Sequence, residues 1–208
     1  MGHYSECRFC KIIKGKYQYN EIDRPFLNDG EFVAVASIGA LVEGWSLIIP
    51  KEHQLSMRNA YNKADFKDFV SHAISLLNRF YGPLIAFEHG SNNEGSNTAC
   101  GTDHAHLHLL PFEGSLLLDL QNSNLQWDKC LTSEIPDRVE EKEYLFYSEL
   151  GSKKSWQDPV GYLHILERPI SQFFRHLIAK QVGCSEASDY RQFPFLETAR
   201  QTYKVLAR

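Results

Sequence analysis

Residues 103 to 111 read DHAHLHLLP, which places histidine at 104, 106 and 108. Extended backbone turns successive side chains to opposite faces, so the three imidazoles share one face and Ala105, Leu107 and Leu109 the other. The apolar face reads as core. The polar face is a row of rings roughly 7 Å apart, too polar to be packed without partners. Three readings fit it. In the first, the histidines are structural and satisfied by hydrogen bonds on a half-buried strand. In the second, an H-x-H pair and a distant third ligand, His53, His89 or His164, hold a zinc ion whose bound water becomes hydroxide near neutral pH; this leaves one histidine of the row without a role. In the third, one neutral imidazole attacks phosphorus and forms a phosphoramidate that water then cleaves. The nucleophile's other nitrogen needs a fixed acceptor, which a strand carbonyl can supply. Its neighbours would bind phosphate oxygens or steer the leaving group.

The 208 residues, 43% hydrophobic, suffice for one domain with a real core or for a domain carrying a substantial extension. A net charge of -4 and a pI near 6.1 lack the basic footprint of a nucleic-acid binder, so no nucleic-acid partner is expected. The opening MGHYSECRFC has no apolar h-region and no Ser or Thr at position six, which argues against secretion and myristoylation. No run approaches a membrane span. Five cysteines, with Cys7 and Cys10 as a close C-x-x-C, read as reduced thiols in a cytoplasmic protein.

A short helix over Arg8 to Lys14 is expected to end at Gly15. Strands follow at FVAVAS (32 to 37) and WSLIIPKEH (45 to 53). Between Asp65 and Phe80, apolar residues recur at Phe66, Phe69, Val70, Ala73, Ile74, Leu77 and Phe80, the period of an amphipathic helix. LIAFEHG is the next strand, and SNNEGSNTACGTD is a polar loop that delivers the chain to the histidines. Strand, strand, helix, strand, strand with short connections predicts an antiparallel α+β sheet. Beyond about Phe112 the character changes. EYLFYSEL and VGYLHILE read as strands, a helix starts near Pro169 with Ile170, Phe173, Phe174, Leu177 and Ile178 on one face, and another covers Phe195 to Leu206. This places a first domain at 1–114 and a C-terminal α/β extension at 115–208 packed on it.

The row HAHLHLL resembles the signature His-φ-His-φ-His-φ-φ of the histidine triad (HIT) superfamily. Three other segments agree in order. CRFCKIIKGK (7 to 16) is similar to the CxFCKII opening of zinc-containing members, EFVAVASI (31 to 38) to the first core strand, and GWSLIIPKEH (44 to 53) to the GHxLVIPKxH strand. The resemblance spans roughly residues 7 to 112. It implies an antiparallel sheet of about five strands with two helices, commonly a homodimer. It also implies hydrolysis or transfer at the α-phosphorus of a nucleotide, through a covalent nucleotidyl-histidine and without a catalytic cofactor. Dinucleoside polyphosphates or nucleoside phosphoramidates would be the substrates. By motif position His106 is the implied nucleophile, His108 a phosphate contact, and His104 the source of the carbonyl that orients His106; Gly101 and Thr102 fall where the family places phosphate donors. The implied structural zinc set is Cys7, Cys10, His53 and His104.

Two positions depart from the pattern. Trp45 stands where many members have a histidine near the nucleophile, as either a core residue or a base-stacking wall. Ser37 stands where an Asp or Asn usually binds ribose, with a shorter reach and a single hydroxyl. Glu88 and His89 open a loop to Asp103 that is longer than in the small members the chain resembles, either solvated or in polar contact with the site. His72 and His176 fall among polar helix positions and have no assigned function. Trp127, Trp156, Tyr162 and Phe173 read as core of the extension, which can form a lid or a dimer contact. A non-enzymatic nucleotide-binding protein of the same fold is the further alternative.

Overall fold

A computed structural model describes residues 7–153 and 155–208. The reading on secretion and myristoylation rests on positions 1–6 and lies outside them. Helix α1 (Arg8–Ile13) is followed by strands β1 (Leu27–Asp29), β2 (Phe32–Ala36) and β3 (Ser46–Pro50), helix α2 (Ala64–Leu77), and strands β4 (Leu84–Gly90) and β5 (Leu107–Pro111). The remaining elements are α3 (Leu117–Gln121), β6 (Asp128–Leu131), α4 (Ile135–Val139), β7 (Tyr144–Gly151), β8 (Val160–Ile165), α5 (Phe173–Gln181) and α6 (Leu196–Leu206).

All eight strands form one antiparallel sheet in the order β1-β2-β3-β5-β4-β7-β8-β6. Residues 8 to 111 supply five strands (β1–β5) and two α-helices (α1, α2), the number expected of the first part, and the C-terminal segment adds three strands and four α-helices, so the sheet has eight strands rather than stopping at five among the described residues. The reason is the pairing of β7 with β4 from Leu84↔Gly151 to Gly90↔Tyr144, which continues the first sheet into the C-terminal segment without a break.

Two further boundaries move. The strand expected through residue 53 stops at Pro50, after which a turn carries His53 back toward α1. The helix expected near Pro169 begins at Phe173, because Gln172 takes a left-handed backbone (φ 53°) and gives its N–H to the Cys100 sulfur instead of to a helical turn.

The two sheet faces are covered differently. On one, the buried stripe of α2 (Phe66, Val70, Ala73, Ile74, Leu77) packs against Phe32, Ala34, Ile48, Ala86, Leu107, Leu109 and Phe146. Trp156 joins this core, stacked on Tyr61. On the other face, Phe9 and Ile12 of α1 cover Val33, Val35, Leu47 and Ile49, while Phe174 and Ile178 of α5 cover Ile85, Phe87, Leu110, Leu145 and Tyr147. Trp127, Tyr162 and Phe173 pack half-buried around this second cover. Between the two covers the polar side of β5 is left for the histidines. Among the described residues no helix is long and apolar enough to cross a membrane.

Candidate active site and metal cluster

Regular pairing of β5 begins only at Leu107. His104 and His106 thus precede the strand in which all three histidines are expected. The Ala105 N–H bonds to the Gln54 carbonyl (2.6 Å) and the His104 N–H to the Thr102 carbonyl (2.7 Å), which holds this approach extended without a strand partner. The alternation survives: Ala105, Leu107 and Leu109 enter the α2-side core, and His106 and His108 lie ring to ring at 4.8 Å on the other side.

His106 and His108 line a cavity of about 260 Å³ together with Phe9, Tyr19, Ser37, Trp45, His89, Gly101, Thr102, Gln172, Arg175 and Tyr190. The His106 Nδ1 lies 2.9 Å from the His104 carbonyl, so Nδ1 carries the proton and Nε2 keeps its lone pair. Burial, against the opposing pull of that carbonyl, lowers the pKa of His106, with the Arg8 charge adding to the fall. His108 is held in the other tautomer. The Trp45 indole N–H donates to His108 Nδ1 (2.9 Å), which leaves the proton on Nε2. Its pKa falls well below the usual imidazole value through burial, then through His106, His89 and Arg175. Phe87 stacks on the His108 ring at 4.2 Å. The pair therefore combines an imidazole acceptor with an imidazole donor, both uncharged at neutral pH.

Trp45 is 2% exposed, packed in the core with one edge on the cavity, and its indole N–H positions His108. Replacing it with Phe keeps an apolar ring and deletes the donor. Losing that hydrogen bond is expected to cost about 1 kcal/mol, seen as a lower denaturant midpoint with cooperative unfolding retained. Gly44, just before it, has φ +83°, and a Cβ there would stand 2.6 Å from the Pro111 ring. Gly44→Ala is expected to cost about 1–3 kcal/mol, seen as a lower denaturant midpoint.

Ser37 lines the cavity with its hydroxyl donating to the Ile38 carbonyl (3.2 Å). The Thr102 N–H donates to the Ala99 carbonyl (3.0 Å), and Gly101 has φ +85°. Glu88 and His89 are strand residues of β4 and part company by alternation. Glu88 is 1% exposed on the α2 side, accepting from the Met57 N–H, Tyr61 and Tyr144. It is a core anchor and not a cavity group. His89 lines the cavity, its Nε2 has no hydrogen-bond partner among the described residues, and burial lowers its pKa to about 3. His164 lies on β8, bonded to the Gln126 carbonyl, and His72 and His176 are exposed on α2 and α5.

Cys7, Cys10, His53 and His104 bring one donor atom each within 4.8 Å of one another. Sulfur and Nδ1 approach closely in three pairs: Cys7–His104 at 3.4 Å, Cys10–His53 at 3.2 Å and Cys10–His104 at 3.5 Å. A tetrahedral ion with thiolate at about 2.3 Å and imidazole at about 2.0 Å has S···N edges of about 3.5 Å, so the residues fit such an ion. His104 Nε2 meets the Pro50 carbonyl at 2.8 Å, which fixes the proton there and leaves Nδ1 for a metal. The four residues could hold a metal ion. Among the described residues His106, His108, His89 and His164 form no such group of three or more, so the row does not converge on an ion as the zinc-hydrolase reading requires.

The wall beyond the histidines comes from the C-terminal segment and was not legible from local pattern. Gln172, Arg175 and Tyr190 line the cavity, and this segment grips the loop before Gly101: the Tyr190 hydroxyl donates to the Cys100 carbonyl at 2.9 Å, and the Gln172 N–H to the Cys100 sulfur at 3.1 Å.

No family model matches the chain, and no curated protein matches it. Among solved structures it is similar to a hypothetical histidine triad nucleotide-binding protein from Sulfolobus tokodaii strain7, at 21% identity and a TM-score of 0.41, over 52% of this chain and 71% of that one.

Proposed function

We propose that this chain is a HIT-type nucleotide hydrolase or nucleotidyl transferase in which His106 attacks the α-phosphorus of a nucleotide conjugate. The observation that supports it is the opposed pair of tautomers: His106 with Nδ1–H on the His104 carbonyl and a free Nε2 lone pair, beside His108 with its proton on Nε2, both at one cavity. In the first step the Nε2 pair forms a P–N bond and the bond from phosphorus to the leaving group breaks, the leaving group taking that electron pair. The His108 Nε2–H is placed to donate a hydrogen bond to a phosphate oxygen or to the leaving atom, and a basic leaving group takes its proton from solvent. In the second step water attacks phosphorus, the P–N electrons return to Nε2, and the nucleoside monophosphate and a proton are released.

Ser37, Trp45, Gly101 and Thr102 complete the proposed substrate set, with His104 acting through its carbonyl. A structural zinc on Cys7, Cys10, His53 and His104 would tie α1 to the sheet and supply no chemistry to the substrate. The reading includes a cytoplasmic homodimer; sedimentation checks the assembly.

The test is intact-mass spectrometry after millisecond mixing with adenosine and guanosine 5′-phosphoramidates and dinucleoside polyphosphates. An adduct of one nucleoside monophosphate, absent in His106→Asn, is expected. Nucleotide affinity by calorimetry with neither adduct nor turnover would overturn the enzyme and leave a binding protein.

A further inference from the structure

The cavity holds a guanidinium that no carboxylate among the described residues pairs with directly. Arg175 on α5 is 6% exposed and lines the cavity. Its described hydrogen bonds all go to backbone carbonyls: Nε to Ser188, Nη1 to Gly39 and Nη2 to Ala187. A guanidinium has five N–H donors, so two remain beyond these three. Among the described residues it has no carboxylate partner. Asp189 is the acid whose field reaches it, but that carboxylate is spent on the Arg191 N–H, Gln172 and Gln192. The contact of Arg175 with the Trp45 ring, 5.8 Å from the centroid, is a weak counterweight.

The contrast with Arg8 at the same cavity is instructive. Arg8 pairs with the buried carboxylate of Asp23. No Asp or Glu lines the cavity among the described residues, although the chain carries a net charge of -4. Its histidines are pushed toward the neutral form by burial and add no charge. At the same cavity, His89 has no partner for Nε2 among the described residues, its ring 5.2 Å from that of Phe174. A buried cation without a counter-ion costs several kcal/mol, and a ligand anion removes that cost.

We infer that Arg175, with His89 lining the same cavity, forms a second anion subsite, and that the ligand of this cavity carries a phosphoryl-type anion in addition to the phosphorus that reacts. The inference rests on the nucleotide reading proposed above. The second anion can sit on the 5′ chain beyond the α-phosphorus or on the ribose, and both have the same recognition chemistry: a planar guanidinium facing phosphate oxygens.

Calorimetric titration of the full chain with a nucleoside 5′-monophosphate, the 5′-diphosphate and the 3′,5′-bisphosphate, in the adenosine and guanosine series, separates the cases. A gain of tenfold or more for the diphosphate places the second anion on the 5′ chain, and the same gain for the bisphosphate places it on the ribose. Arg175→Gln is expected to erase the gain and leave monophosphate affinity within about threefold, while Arg175→Lys keeps part of it. Because Arg175 also ties three carbonyls, the gain is measured against salt in the wild-type protein as well, where its decline from 50 to 300 mM is expected to exceed that of the monophosphate. Equal affinities for all three nucleotides overturn the second subsite and leave the nucleotide reading standing. Absence of binding by any of them, together with absence of an adduct, fails the nucleotide reading itself.

Discussion

His106→Asn is expected to lower single-turnover formation of the nucleotidyl adduct by at least on the order of 10⁴-fold while the protein stays folded. The size follows from what the side chain supplies. A nucleophile lost from a covalent mechanism typically removes almost the whole benefit of the two-step route, because the remaining groups bind substrate but offer no bond to phosphorus. Asparagine suits the test: its amide N–H can still donate to the His104 carbonyl, which His106 Nδ1 meets at 2.9 Å, so the local hydrogen bond is retained. Phe9, whose ring centroid lies 5.2 Å from that of His106, still covers the site. Thermal unfolding within a few degrees of wild type, with the adduct gone, is the expected pair of results. Turnover within tenfold of wild type in a folded variant would move the nucleophile elsewhere, and His108 is poorly placed to take over because Trp45 occupies its Nδ1.

The histidine row was legible because alternation is a local property. A period of two puts His106 and His108 on the side opposite Leu107 and Leu109 whether or not the strand has yet begun to pair. The α2 stripe was legible for the same reason, its apolar residues recurring with the helical period. Glu88 and His89 show how local reading fails by one position. Taken as loop they are interchangeable, but as β4 residues they point to opposite faces, and one becomes a buried anchor for two tyrosines while the other meets the cavity. The partner of β4 was not legible at all. Nothing in LIAFEHG says that its free edge will pair with residues 144 to 151, since pairing depends on which distant strand arrives with a matching apolar face. Arg175 and Tyr190 were hidden likewise: they lie some seventy residues or more from the histidines in sequence, and α5 and the segment that follows it bring them to the cavity through a sheet that β7 extends.

Cys10→Ser is expected to strip the purified protein of bound zinc, read as metal per chain by mass spectrometry of the ion, and to lower its melting temperature by about 6–12 °C. A structural zinc on two thiolates and two imidazoles contributes on the order of 10 kcal/mol of binding free energy in small domains, where the metal organises most of the fold. Here the eight-stranded sheet and the α2 core fold around other contacts, and the metal would add only the docking of α1 and the turn that carries His53. A share of about 3 kcal/mol is then reasonable, and for a chain of this size each kcal/mol shifts the midpoint by roughly 2–4 °C. Cys10 is the right probe because its sulfur meets both imidazole nitrogens, at 3.2 and 3.5 Å, whereas Cys130, also buried, lies among apolar side chains on the α2 side. Cys130→Ser therefore serves as the control for loss of a buried thiol, and should leave the metal content unchanged. Activity supplies the second discriminator. The His104 carbonyl orients His106 while the ring of His104 faces the cysteines, so loosening the cluster should reduce kcat more than nucleotide affinity. Zinc-free protein with unaltered melting and unaltered kcat would mean that the four side chains meet without needing an ion between them.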